Sequence, residues 1–134
     1  MGLWIFGVVG VALLVAVFLA RRGGANEPQS FVCSGCMQMH PYAEIRVVPS
    51  WNADVRAMLT SFRCAACFAA SLRETREVIA SLDEAQRESF VELLRNHKLD
   101  ALAAEIEATD AAGARAPLGR FLDEIERGER KLGV

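Results

Sequence analysis

The sequence lacks a strong excess of charge of either sign. Fifteen basic and seventeen acidic side chains give a formal net charge of −2. Residues 31–67, which hold every cysteine, have a balance of only +1, and residues 68–134 carry ten basic against fourteen acidic side chains. A protein that binds a nucleic-acid backbone needs a basic face. The charge pattern therefore argues against a dedicated nucleic-acid binder.

Common catalytic motifs are also missing from the sequence. No serine stands in a nucleophile elbow, and no glycine-rich phosphate loop follows a predicted strand. The two cysteine pairs are followed by Met37 and Phe68, where c-type haem attachment requires histidine. We therefore expect a protein that is not an enzyme.

The length allows one small domain with attachments. The chain has 134 residues and a mass of 14.6 kDa. Apolar residues make up 52% and charged residues 24%, which are ordinary values for a globular protein. This composition excludes wholesale disorder.

One long hydrophobic run lies near the N-terminus. Leu3–Ala20 contains eighteen residues without a charge, and as a helix it reaches about 27 Å, close to the roughly 30 Å of a bilayer core. Arg21 and Arg22 follow it, whereas a cleaved signal peptide would begin with positive charge. The pattern predicts a transmembrane anchor over residues 1–22.

The same segment predicts the topology. Because positive charge is retained on the inner side, we expect a single-pass protein of the cell membrane with a cytoplasmic C-terminal domain. Small residues at helical spacing in the anchor favour pairing with a second membrane helix, as in a homo-oligomer; they are Ala12, Ala16 and Ala20. Residues 23–30 are polar and contain glycine and proline, which is typical of a linker.

The four cysteines form two pairs with the same spacing, Cys33-Ser-Gly-Cys36 and Cys64-Ala-Ala-Cys67. A C-x2-C turn aims two thiolates at one point, and two such turns complete the tetrahedral shell that structural Zn²⁺ prefers. The sequence therefore predicts a structural Zn²⁺ site at all four cysteines.

The residues between the pairs predict a β-hairpin, and those after the second pair predict a helix. We expect a strand over residues 43–48, a turn over residues 49–52, and a helix from Ala66 onward. A knuckle, a hairpin and a helix that donates two ligands resemble the treble-clef and zinc-ribbon-like zinc fingers, over residues 31–80. The resemblance implies zinc at the four cysteines and no particular reaction.

Residues 81–134 predict a helical region. Ser81 and Glu84 match a capping box, a second helical segment runs from Leu99 to about Ala108, and Pro117 suits the first position of a final helix. We expect these helices to pack together and onto the zinc domain, or to keep one apolar face for a partner protein.

Two nearby residue types also have metal-binding chemistry. With four thiolates available, His40 is surplus and is expected on the solvent side of a hairpin. Met37 and Met39 suit packing better than soft-metal binding.

The predicted fold class is thus a small α+β zinc-binding domain with an N-terminal transmembrane helix and an α-helical C-terminal region. The predicted function is a membrane-anchored, non-catalytic, zinc-stabilised interaction module, such as an accessory or assembly subunit. The alternatives are a membrane-tethered dithiol redox protein that uses Cys64 and Cys67, and a weak nucleic-acid-binding zinc finger. If the topology were inverted, the cysteine pairs would instead form two disulfides.

Overall fold

The structure is a computed structural model that describes residues 11–12, 14–16 and 30–133. Within residues 30–133, two antiparallel hairpins precede four helices. The strands and helices are β1 (Ser30–Val32), β2 (Met39–Pro41), β3 (Arg46–Asn52), β4 (Ala57–Arg63), α1 (Ala65–Ala80), α2 (Glu84–Asn96), α3 (Asp100–Glu107) and α4 (Ala111–Glu126). A short 3₁₀ helix, Tyr42–Glu44, connects the hairpins.

The second hairpin is longer than the sequence predicts. Strands β3 and β4 pair from Arg46 opposite Arg63 to Asn52 opposite Ala57, so the turn predicted over residues 49–52 is wrong. Two N–H groups of the true turn, residues 53–56, donate to Asn52 Oδ1 and close it. Proline is tolerated inside β3 because each strand of a two-stranded sheet is an edge strand. The predicted strand over residues 43–48 begins only at Arg46, after the 3₁₀ helix.

Helix α1 packs against the second hairpin. It begins one residue before the predicted position, directly after Cys64. The buried Thr75 hydroxyl donates to the carbonyl oxygen of Pro49 at 2.6 Å, and this bond attaches the middle of α1 to β3. The first turn of α1 is thereby held at a fixed position beside the end of β4.

The starts of two later helices differ from the predicted ones. The capping box of α2 pairs Asp83 with Gln86, because the Asp83 side chain accepts the Gln86 N–H and the Gln86 side chain accepts the Asp83 N–H. Helix α4 begins after Asp110, whose side chain accepts the Gly113 N–H at 2.7 Å. Pro117 therefore lies inside α4 and not at its first position.

A single hydrophobic core joins the second hairpin to all four helices. Side chains from both predicted regions, residues 31–80 and 81–134, contribute to it. Its largest fully buried hydrophobic residues are Phe90, Phe121, Leu72, Leu94, Ile106, Leu118, Leu122 and Val48. The apolar faces of the C-terminal helices are thus covered by the protein itself.

The predicted transmembrane helix and single-pass membrane localisation require correction. Among the residues that the structure describes, no helix has the length and apolar character needed to cross a membrane. The longest, α1 and α4, have 16 residues each and reach about 24 Å, less than the roughly 30 Å of a bilayer core. Of the predicted anchor, residues 1–22, only 11–12 and 14–16 belong to the described part. The fold class is a small α+β domain of two hairpins and four helices.

Candidate metal centre

The first cysteine pair lies in the tight loop between β1 and β2. The Cys33 N–H donates to the Gln38 carbonyl oxygen at 3.0 Å, and the Met37 N–H donates to the Cys33 carbonyl oxygen at 2.8 Å. Met37 adopts a left-handed backbone conformation with φ of 59°. These features fold the loop back on itself, so that both cysteines of the pair face the second hairpin.

The second pair lies at the start of α1. Cys64 is the N-cap residue of this helix, and Cys67 is in its first turn. The Cys67 N–H donates to the Cys64 carbonyl oxygen at 3.1 Å. Unpaired N–H groups and the helix dipole favour negative charge at this end of a helix, and therefore favour thiolates.

The fold brings the four cysteines together. All four Sγ atoms lie within 4.8 Å of one another, and all four cysteines are free thiols. A tetrahedral Zn²⁺ site with Zn–S bonds of about 2.3 Å places its sulfurs about 3.8 Å apart. Cys33 and Cys64 are buried, Cys67 is partly buried, and Cys36 is exposed. The cluster therefore needs only a modest contraction to hold one metal ion.

Backbone hydrogen bonds connect the two pairs directly. The Cys33 Sγ accepts the Cys64 N–H and the Gly35 N–H, each at 3.3 Å. The Ser34 N–H donates to the Phe62 carbonyl oxygen at 2.9 Å, which attaches the first loop to β4. The site is therefore positioned by backbone groups as well as by its own sulfurs, as metal-binding thiolates commonly are.

The pKa values of two thiols are shifted in opposite directions. Burial acts to raise the pKa of Cys33, but the N–H groups of Cys36, Cys64 and Gly35 outweigh it and lower that pKa to about 6. Hydrogen bonding to the side chains of Cys64 and Cys33, together with burial, raises the pKa of Cys67 to about 12. Without a cation, the four clustered thiols therefore cannot all ionise at once. A divalent metal ion would stabilise them as thiolates.

Gly35 and Arg63 flank the cluster. A Cβ added to Gly35 would lie 2.9 Å from Arg63 Nη1 and 3.0 Å from Cys67 Sγ, so a side chain here would force the guanidinium group and the thiol to shift. In the described part of the chain, the buried Arg63 Nε has no hydrogen-bond partner. A positive group placed here, with an unsatisfied donor, fits a site that becomes negatively charged when four thiolates bind one Zn²⁺ ion.

His40 lies in β2 of the first hairpin, beside the cluster. Its Nε2 atom is 3.3 Å from Cys36 Sγ, and its Nδ1 atom is 3.5 Å from the Glu44 carboxylate. His40 thus lies in a hairpin and is partly exposed, as expected, and its ring also contacts Cys36, which was not expected. The spacing of four residues from Cys36 was the available sequence signal.

Three other residues with metal-binding side chains, His97, Met37 and Met39, do not belong to the four-cysteine cluster. The His97 Nε2 atom is 2.8 Å from the Thr60 hydroxyl, at the end of α2. Met37 and Met39 are both strongly exposed, so of the two expected roles, packing or surface gap-filling, their positions suit the surface role. No sequence motif marks Arg63 as a neighbour of the cysteine cluster.

Comparison with known protein families, curated proteins and solved structures finds no match to this chain. The clustered cysteines are consistent with a zinc site. The treble-clef or zinc-ribbon assignment, by contrast, has no support from a matching family or fold.

Proposed function

We propose that this protein is a non-catalytic module in which one Zn²⁺ ion, bound by Cys33, Cys36, Cys64 and Cys67, fixes the first hairpin to the helical body. The observation that supports this proposal best is the cluster of four Sγ atoms within 4.8 Å of one another. They come from the loop of the first hairpin and the start of α1, about thirty residues apart in the chain, and a metal ion bound by both would hold these two segments together.

The donor set favours a structural role for the ion. Four thiolates are the usual shell of structural Zn²⁺, and they leave no open position for water or substrate. The softness of the sulfurs disfavours Mg²⁺ and Ca²⁺, which take oxygen ligands. The module therefore needs no reaction to explain its cysteines.

The interaction role remains part of this proposal. The partner was expected to bind the helices of residues 81–134, but their large apolar side chains lie in the protein's own core. Their exposed surfaces carry ion pairs such as Arg120 with Glu105 at 3.4 Å and Arg127 with Glu129 at 2.9 Å. A partner would therefore contact a polar, mildly acidic surface, and recognition would be largely electrostatic.

The dithiol redox alternative is less well supported. A thiol that attacks a disulfide must be accessible and ionised. Cys64 is buried, and the pKa of Cys67 is raised to about 12, chiefly by hydrogen bonding to Cys64. The helix N-terminus favours thiolates, but here that effect is opposed by two neighbouring sulfurs.

The test is elemental analysis of the full chain, purified under reducing conditions without chelator, together with an insulin disulfide reduction assay. We expect about one zinc ion per chain, with four thiols that become reactive on metal removal, and no reductase activity. The Cys64→Ser variant should lose the metal, and the Ser81→Ala variant, at the end of α1, should retain it. Metal-free protein with reductase activity that Cys64→Ser abolishes would support the redox alternative instead.

A further inference from the structure

We propose that the site contains a fifth metal donor, His40, which takes the coordination position of Cys36 when that thiolate is lost. This inference rests on the proposed zinc site and adds to it a residue and an exchange between two ligands. Cys36 is the replaceable ligand, and the other three cysteines form the permanent part of the site.

The four cysteines differ in how well the protein protects them. Cys33 and Cys64 are almost fully buried, with 0% and 2% of their surface exposed, and the backbone N–H of Cys64 donates to Cys33 Sγ. Cys36 is exposed. A reagent in solution therefore meets Cys36 first.

His40 is already at the distance of a neighbouring ligand. The Nε2 atom lies 3.3 Å from Cys36 Sγ. Two atoms bound to one tetrahedral Zn²⁺ ion, a sulfur at about 2.3 Å and a nitrogen at about 2.0–2.1 Å, lie about 3.5 Å apart. The imidazole is not part of the four-sulfur cluster, so it enters the coordination shell by moving into the position that the Cys36 sulfur leaves.

Glu44 prepares His40 for this role. Its carboxylate lies 3.5 Å from Nδ1 and favours the tautomer in which Nδ1 carries the proton. The lone pair of Nε2 is then free to bind a metal, as in the carboxylate–histidine–metal arrangements of known sites.

The ring is also held in place by β1. His40 in β2 pairs directly with Phe31, and the two rings lie 6.0 Å apart between centroids, with a tilt of 37°. Phe31 and the Glu44 carboxylate thus lie on two sides of the ring and limit its orientations.

In the exchange, one metal–sulfur bond is replaced by one metal–nitrogen bond. An alkylating agent such as iodoacetamide forms a carbon–sulfur bond with Cys36 and releases iodide. The modified sulfur leaves the metal, and the Nε2 lone pair forms the new metal–nitrogen bond. No oxidation or reduction takes place, and the metal keeps four ligands.

Cobalt(II) binding tests the exchange, because sulfur-to-cobalt charge-transfer absorption scales with the number of thiolates. We expect Cys36→Ala to bind Co²⁺ tetrahedrally with about three quarters of the wild-type charge-transfer intensity. Cys36→Ala/His40→Ala should bind on the order of tenfold to a hundredfold more weakly than Cys36→Ala. The matched control is Cys36→Ala/His97→Ala, which removes the chain's other histidine and should bind like Cys36→Ala.

Equal affinity of Cys36→Ala and Cys36→Ala/His40→Ala would overturn the inference, and so would loss of all binding by Cys36→Ala while the wild type binds. If the wild-type chain itself bound no Co²⁺ or Zn²⁺, the proposed zinc site would fail instead, so the two failures are distinguishable.

A second measurement avoids the Cys36→Ala variant and its folding. Zinc-loaded wild type and zinc-loaded His40→Ala are each treated with iodoacetamide until Cys36 is modified, as shown by mass spectrometry. We expect the wild type to retain its zinc and His40→Ala to release it. Release at the same rate from both proteins would contradict the exchange.

Discussion

The backbone N–H of Cys64 donates a hydrogen bond to Cys33 Sγ at 3.3 Å, which joins the loop of the first hairpin to the start of α1. The contact is buried and connects residues 31 positions apart. The Cys33 sulfur is therefore both a candidate metal ligand and the acceptor that attaches the second cysteine pair to the first.

Replacing Cys33 should thus affect both metal binding and folding. We predict that Cys33→Ala loses stoichiometric zinc and lowers the free energy of unfolding of the zinc-loaded protein by roughly 3 kcal/mol or more, since a ligand and a buried sulfur acceptor disappear together. Urea unfolding in the presence of zinc measures the change. Ser30→Ala, at an exposed position before the same loop, should stay within about 0.5 kcal/mol of wild type. A Cys33→Ala variant that keeps its zinc would contradict this assignment.

Gly35 should be intolerant of any side chain. A Cβ there would lie 2.9 Å from Arg63 Nη1 and 3.0 Å from both Cys67 Cβ and Cys67 Sγ. We predict that Gly35→Ala weakens zinc affinity at least about tenfold, because the first loop must move away from α1. Competition with a chromophoric chelator measures this affinity.

Gly119 supplies the matched control for that experiment. It lies inside α4, and a Cβ there meets nothing within 4 Å. Gly119→Ala should leave zinc affinity unchanged and stabilise the protein by about 0.5–1 kcal/mol through helix propensity. Equal affinities for Gly35→Ala and wild type would show that the loop is not tightly packed against the site.

The metal-free protein should lose stability on mild acidification. The pKa of Cys33 is about 6 in the folded chain, and an unfolded cysteine has a pKa of about 8.5. Between these values the unfolded chain binds more protons, so stability rises with pH across this window and is lost as pH falls toward 6. Urea midpoints of reduced, chelator-treated protein should therefore be higher at about pH 8 than at about pH 6.

Cys67 should act in the opposite direction at high pH. Its pKa is raised to about 12. The stability that the protonated Cys67 thiol adds to the folded chain is therefore present below the ordinary cysteine pKa and is lost as pH rises toward 12. Cys33→Ala should remove the rise in stability between about pH 6 and 8, and Cys67→Ala should weaken the loss of stability above about pH 9. A pH profile of wild type that matches that of Cys33→Ala would contradict the shifted pKa of Cys33.

Metal removal should loosen one end of the molecule and leave the rest folded. The hydrophobic core lies in the second hairpin and the four helices, whereas no residue of β1 or β2 is fully buried. We predict that chelation increases amide hydrogen exchange over residues 30–45 and changes helical circular dichroism little. Global unfolding on chelation would show that the core does not suffice without the metal.

The sequence predicted the cysteine cluster and the helices because both follow local rules. The C-x2-C spacing and the apolar periodicity of residues 66–79 depend on neighbouring positions alone. The hairpin turn was misplaced because Pro49 and Asn52 are turn-forming residues, and only the pairing of β3 with β4 shows that Pro49 lies in a strand. Tertiary pairing here overrides local propensity.

The surroundings of the site were less predictable. His40 reaches Cys36 only because β2 returns beside the loop, and Arg63 approaches Gly35 only because the two hairpins meet. The four-residue spacing was the only sequence signal for the first contact, and the second contact had none. The sequence left open whether the helices of residues 81–134 pack onto the zinc domain or keep an apolar face for a partner, and the core shared by both regions favours the first.

Zinc-edge X-ray absorption of the purified full chain identifies the ligands of the bound ion directly. We predict one zinc ion per chain with four sulfur ligands at about 2.3 Å and no nitrogen or oxygen ligand in the wild type. A shell that contains oxygen, or only two sulfurs, would contradict the four-cysteine site, and protein without bound zinc would contradict the account as a whole.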